Sequence, residues 1–246
     1  MSERFFVSEP ITGDHAKLDG PEAHHLLHVM RAAVGTTATL FDNSGAEFTA
    51  VVETTRRSEA TLRVTERREI NRELTFPLAI GIALPKGDRQ KWLVEKLTEL
   101  GVSSLVPLVT ERGVAQPTTS AIERLARAVI EAAKQCGRNR LMQIAEPQSL
   151  DSFLKSPMAG DIRSPGCRRL IAHPHAPSLA TLDIKTPLPT LIAIGPEGGF
   201  TDAEVTCALT AGWQQVSLGQ SILRVETAAI ALAAALAIGG RSAENA

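Results

Sequence analysis

From residue 78 onward, short and mostly apolar runs alternate with longer segments of helical periodicity, and this alternation constrains the fold more than any other feature. The runs Leu78 to Leu84, Ser104 to Val109, Arg169 to Ala172, Leu191 to Ile194 and Gln215 to Leu218 read as strands. Helices are expected over Arg89 to Leu100, Ala121 to Cys136, Asp202 to Ala211 and Val225 to Ile238. Apolar strands alternating with helices call for an α/β fold, a parallel sheet covered on both faces. Before residue 73 the pattern differs. Thr37 to Phe41, Phe48 to Glu53 and Ala60 to Val64 alternate apolar and polar residues around turn signals such as Asp42-Asn43-Ser44-Gly45, as a small barrel or curled sheet does. One helix interrupts it, with Pro21 at the favoured first position and an expected end near Ala33. The expected division is therefore 1–72 and 73–246. Ser156 to Pro165 and Ala176 to Pro189 read as loops.

Composition narrows the function classes. With 43% hydrophobic and 22% charged residues the chain is of globular composition. Its most apolar stretch, Thr227 to Gly240, is uncharged for only fourteen residues, against roughly 18 needed to span a bilayer, so it reads as a buried helix and no membrane partner is expected. Met1-Ser2-Glu3-Arg4-Phe5-Phe6 has no basic segment followed by an apolar run, and the expected location is the cytoplasm. Cys136, Cys167 and Cys207 are widely spaced and form no C-x-x-C pair, so neither a disulfide framework nor a zinc site is expected. Net charge is −1, yet local runs are basic: five cations against Glu131 between Arg124 and Arg140, and six arginines against three acids between Arg56 and Arg72. Such runs suit phosphate contacts or a solvated face. With no tyrosine and only seven Phe and two Trp, a sheet of base-stacking aromatics is not expected.

Two loops carry the chemistry. Ile194-Gly195-Pro196-Glu197-Gly198-Gly199-Phe200-Thr201 and Leu218-Gly219-Gln220-Ser221-Ile222-Leu223-Arg224-Val225-Glu226 each follow a strand and open a helix, the place where open α/β sheets hold ligands. The first lacks the Lys-Ser/Thr of a phosphate-cradling loop, and Glu197 would repel a pyrophosphate, so a ligand with a positive centre fits better. Taken alone, this segment is equally a tight turn with Thr201 or Asp202 capping the next helix. In the second loop Glu226 can favour the helix dipole, whereas Arg224 suits stabilisation of negative charge developing on a substrate oxygen.

These residues resemble the RsmE family of ribosomal RNA uridine-N3 methyltransferases, of the SPOUT class. The resemblance extends over nearly the whole chain through Arg4-Phe5-Phe6, His28-Val29-Met30-Arg31, Lys86-Gly87-Asp88-Arg89, Thr110-Glu111-Arg112, Gln135-Cys136-Gly137-Arg138-Asn139-Arg140 and His173-Pro174. It implies S-adenosylmethionine as methyl donor, held by His173, Ile194, Gly195, Pro196, Glu197, Gly198, Gly199, Leu218, Gly219, Ile222 and Leu223. It also implies a SPOUT-type parallel sheet with a deep trefoil knot, a homodimer, and a preceding PUA-like barrel that helps grip 16S ribosomal RNA in the small subunit. Removing the proton on uracil N3 leaves an anion, so a base and a cation are both wanted. Arg224 is the expected anion stabiliser, with Glu226 or Glu197 as base or orienting group. Arg4, Lys86, Lys91, Arg112, Arg138 and Asn139 are the expected RNA contacts. His24, His28 and Arg31, at helical spacing on one face, join them as a basic stripe rather than as metal ligands.

Overall fold

The computed structural model describes residues 4–114, 117–155 and 166–240. They group into two compact units: Met1–Glu73 joined by Ile130–Leu141, and Leu74–Val129 with Met142–Ala246. The loop expected at Ser156 to Pro165 lies outside the described residues.

The first unit contains β1 (Arg4–Phe6), β2 (His15–Leu18), α1 (Gly20–His24), β3 (Thr37–Phe41), β4 (Ala46–Thr55) and β5 (Ala60–Glu69). Its sheet runs β1-β3-β4-β5-β2, antiparallel except for the parallel pair β1 and β3. Period-two patterning sends Ala46, Phe48, Ala50 and Val52 of β4 into a core shared with Phe5, Leu26, Leu40 and Leu62. The turn between β3 and β4 places Asn43 at φ 70° and Gly45 at φ 100°, conformations that asparagine and glycine adopt most readily. The Asp42 carboxylate anchors it, accepting from the Ser44 and Ile11 backbone N–H groups at 3.1 and 2.8 Å.

The helix after Gly20 departs from expectation. Its first turn carries Pro21, but from His25 to Val29 it widens into a π-helix and then stops, with Arg31 at φ 55°. The spacing that puts i, i+4 and i+7 on one face holds only for α-helix. His24 and His28 still approach, with ring centroids 5.0 Å apart, whereas Arg31 lies beyond the helix and is not part of that stripe.

Residues 130–141 enter the first unit through polar contacts. Arg4 pairs with Glu47 and donates to the Asn139 side-chain oxygen at 2.6 Å. Arg72 donates to Glu47 at 3.1 Å and to the Gly137 carbonyl at 2.8 Å. Arg138 pairs with Glu73, and Lys134 donates to Glu22 at 2.9 Å. Asn139, 2% exposed, also donates to the Ile70 carbonyl. Lys134 and Arg138, two of the five cations that made Arg124 to Arg140 look like a phosphate-binding run, thus act inside the protein, while Arg124, Arg127 and Arg140 are exposed.

The second unit holds β6 (Leu78–Ile82), α2 (Arg89–Glu99), β7 (Ser104–Val109), the start of α3 (Thr119–Cys136), β8 (Gln143–Ile144), β9 (Gln148–Ser149), α4 (Leu150–Lys155), β10 (Arg168–Ala172), β11 (Thr190–Ile194), α5 (Asp202–Thr210), β12 (Gln214–Val216) and α6 (Val225–Gly239). Its seven strands are all parallel, in the order β12-β10-β11-β6-β7-β8, with β9 also pairing β7. Every residue of β6 and β11 is buried, which explains their unbroken apolar runs. Gly81 is required for packing: a Cβ there would lie 2.6 Å from the Phe153 ring of α4. Thr201 caps α5 in a capping box with Glu204. Among the described residues no helix is long and apolar enough to cross a membrane.

Burial pushes the Glu47 carboxyl up, but the hydrogen bonds from Arg4 and Arg72 outweigh it and hold it below its usual range. A depressed carboxyl contributes stability that is present above its unfolded-state pKa and lost as pH falls through the native value. Glu47→Gln should therefore cost about 1–2 kcal/mol at pH 7. Urea unfolding should show that deficit closing as pH drops below about 4.

Candidate functional site

In a parallel sheet every strand ends on the same edge. The segments leaving β6, β7, β10, β11 and β12 therefore emerge side by side, and the residues singled out as cofactor ligands lie on three of them. Ile194 ends β11 buried, and Gly195, Pro196, Glu197, Gly198 and Gly199 follow it. Leu218, Gly219, Ile222 and Leu223 follow β12, and His173 follows β10. The last two segments are fastened together: His173 N–H donates to the Val216 carbonyl and Leu179 N–H to the Ser217 carbonyl, both at 2.9 Å.

The loop after β11 is a rigid turn. Gly199 N–H donates to the Pro196 carbonyl at 2.8 Å. Gly199 has φ 68° and Gly219 φ 142°, and at both the space where a Cβ would stand is open for 4 Å, so a ligand can approach bare backbone. Arg112, exposed after β7, donates to the Gly198 carbonyl at 2.9 Å and to that of Phe200 at 3.4 Å. Glu204 ties the same two segments by accepting from Glu111 N–H at 2.9 Å and Thr201 N–H at 2.8 Å. Arg112 in this arrangement braces the loop.

The charged residues meet at the start of α6. Arg224 is its N-cap and is exposed; its carbonyl accepts from Ala228 N–H at 2.9 Å, and its side chain has no hydrogen bond or ion pair among the described residues. Glu226 lies in the first turn and is only 4% exposed. Its Oε1 is 3.4 Å from Nη1 of Arg89, and its buried Oε2 has no hydrogen-bond partner. Nη2 of the same arginine lies 3.6 Å from Oε1 of Glu197. One guanidinium thus joins the two carboxylates proposed from sequence, and local charge is negative until Arg224 is counted. The donor set suits a ligand with a cationic centre held over backbone, next to a guanidinium available to an anion. Arg89 reads from sequence as a residue of the strand-to-helix junction with Lys86 and Lys91, suited to phosphate or to solvent, and its place between two carboxylates is not visible there because those partners lie more than a hundred positions away. Thr110, directly after β7, is buried with its hydroxyl unpartnered among the described residues.

The expected RNA contacts divide. Lys86 and Lys91 are exposed around the start of α2, Lys91 within 3.7 Å of Glu95. His24, His28 and Arg31 are exposed in the first unit. Arg138 and Asn139, 3% and 2% exposed, and the largely buried Arg4 are committed to internal partners.

Comparison with known proteins agrees with this geometry. Residues 72–237 match the model of an RNA methyltransferase domain, and residues 18–65 that of an RNA methyltransferase PUA domain. The ribosomal RNA small subunit methyltransferase E of a Synechocystis species is 33% identical over 231 residues, covering 93% of this chain and 75% of the relative. A methyltransferase from Legionella pneumophila, solved with its bound cofactor SAM, superposes with a TM-score of 0.86 at 29% identity, over 96% of this chain and 97% of that one. A ribosomal RNA small subunit methyltransferase E from Neisseria gonorrhoeae bound to S-adenosyl methionine gives 0.83 at 27%, with the same coverage. With a parallel sheet gathering its loops on one edge and matches running nearly end to end, the chain belongs to the RNA methyltransferase family that includes the ribosomal RNA small subunit methyltransferases E.

Proposed function

We propose that this protein transfers a methyl group from S-adenosylmethionine to N3 of one uridine in 16S ribosomal RNA, in the cytoplasm and on the assembled small subunit. The observation that carries this reading is the meeting, on one edge of the sheet, of a bare-backbone cradle, a carboxylate pair held by Arg89, and Arg224, whose side chain has no partner among the described residues. The donor set fits S-adenosylmethionine: open backbone at Gly199 and Gly219, and carboxylates at Glu197 and Glu226 for positive charge. When bound, S-adenosylmethionine supplies an electrophilic methyl on a sulfonium. His173, Ile194 to Gly199, Leu218, Gly219, Ile222 and Leu223 would hold it. Glu226 or Glu197 takes or orients the proton leaving uracil N3. Arg224 stabilises the anion shared between N3 and the carbonyl oxygens, its guanidinium being exposed and without a partner among the described residues.

The SPOUT-type reading brings a deep trefoil knot with it. A sheet order in which the connection from β11 to β12 passes back across β10 supports it. It also brings a homodimer. Support for that comes from α6, uncharged after Glu226, whose Ile230, Ala231, Ala234 and Ala235 are incompletely covered and whose Ile238 is 73% exposed, while Trp92 on the adjoining α2 is 46% exposed.

Labelled S-adenosylmethionine and small subunits lacking the modification, followed by digestion to nucleosides and mass spectrometry, test the reaction. Label in 3-methyluridine is expected; label in another nucleoside would overturn the target while keeping a methyltransferase. Arg224→Ala should lower the rate roughly 100-fold or more while leaving cofactor affinity within about twofold by calorimetry. Equal losses would move Arg224 into the cofactor pocket. Replacing Arg31, Lys86 or Lys91 by Ala should each flatten the salt dependence of RNA binding by about one unit of slope, and an unchanged slope removes that residue from the interface.

A further inference from the structure

A buried carboxylate needs a fixed counter-charge, and among the described residues Glu226 has a single one. α6 packs against α2, β6 and β11. Neither strand carries a titratable group: β6 is Leu-Ala-Ile-Gly-Ile and β11 is Thr-Leu-Ile-Ala-Ile. On α2, Lys91 faces Glu95 at 3.7 Å and Lys96 faces Glu99 at 2.7 Å. Lys86 and Asp88, just before α2, are exposed, and Arg224 on the same element as Glu226 makes no ion pair among the described residues. Among the described residues only Arg89 reaches Glu226 with a charge, and the second arm of its guanidinium reaches Glu197.

We infer that Arg89 is a positioning residue of the methyl-transfer site, holding Glu226 as an anion in register with the Gly195–Phe200 loop. This rests on the catalytic reading above. The arginine touches neither reacting atom; it acts through the two carboxylates. A planar fork with two separate donor arms can reach two carboxylates at once, which a single ammonium cannot do in the same geometry. The α6 amino terminus adds a dipole that favours the same charge state, and Oε2, left without a protein partner, is the oxygen that remains to receive a hydrogen bond or a proton.

The test is a cycle of Arg89→Gln, Arg89→Lys, Glu226→Gln and the Arg89→Gln/Glu226→Gln double variant. Arg89→Gln leaves a buried carboxylate without the counter-charge that reaches it in the wild type, and burial disfavours the ionised form of a carboxyl group, so the stability deficit of the variant grows as pH rises. The melting temperature of Arg89→Gln should fall further below wild type at pH 8 than at pH 5, and the double variant should lose that pH dependence. In methyl transfer, Arg89→Gln should lower kcat/KM about tenfold or more and move the acidic limb of its pH profile to higher pH, with Arg89→Lys between it and wild type. A deficit equal at both pH values, one that persists in the double variant, or an activity loss with an unmoved limb would each overturn the proposal. Failure of the wild-type protein to methylate any RNA would instead overturn the catalytic reading. The stability cycle needs no substrate and still decides whether Arg89 sets the charge of Glu226.

Discussion

A sheet made only of parallel strands leaves the chain little freedom in where it can build a site. Each strand has to be reached by a crossover, and every strand end falls on one edge. In the second unit that edge gathers the segments after β6, β7, β10, β11 and β12, which bring Arg89, Arg112, His173, Glu197 and Glu226 from across 138 residues of sequence. The cost of the arrangement is that both faces of the sheet must be covered. That is why β6 and β11 are wholly buried, why Gly81 has no side chain where Phe153 crosses it, and why α6 is apolar nearly all round.

Within that frame, electrostatics fix the details. A buried carboxylate that loses its partner destabilises a protein by about 3–5 kcal/mol, and solvent around the half-exposed Arg89 lowers what this pair contributes. The ion pair is therefore better understood as setting a charge and a geometry than as a source of stability. The first unit holds its carboxylate with two guanidinium groups: Arg4 and Arg72 both donate to Oε2 of Glu47, and Asn139 engages both ends of its amide, while Nε of Arg4 stays without a partner among the described residues. At Glu226 one guanidinium reaches one oxygen, and the other oxygen has no partner among the described residues.

Most of the second unit was legible because its strands are long enough, and apolar enough, to show a period. The glycine-bearing loops were legible because the turn chemistry is local. Short elements were not: β8 and β9 have two residues each and β1 has three, too few to display alternation. The widening of the first helix at His25–Val29 was hidden too, since π-helical spacing has no sequence signature distinct from an ordinary helix. Residues whose meaning is a distant partner escaped for a different reason. Arg138 looked like a phosphate contact because its neighbours in sequence are basic, and Glu73 is 65 positions away. Arg89 looked like a phosphate contact or a solvated residue at a helix start for the same reason.

The distribution of charge bears on how RNA is selected. Net charge is −1, and the basic runs divide: Arg72, Lys134 and Arg138 face acids within the first unit, Arg56, Arg63, Arg67 and Arg68 make exposed pairs with Glu59, Glu53, Glu69 and Glu66, and Arg57, Arg124, Arg127 and Arg140 are exposed. Attraction that is blind to sequence scales with the number of phosphates neutralised, so the cations turned inward add nothing to it. On the reading proposed above, selectivity rests on how a target presents its backbone and an unpaired base together, which is a property of folded RNA more than of its sequence.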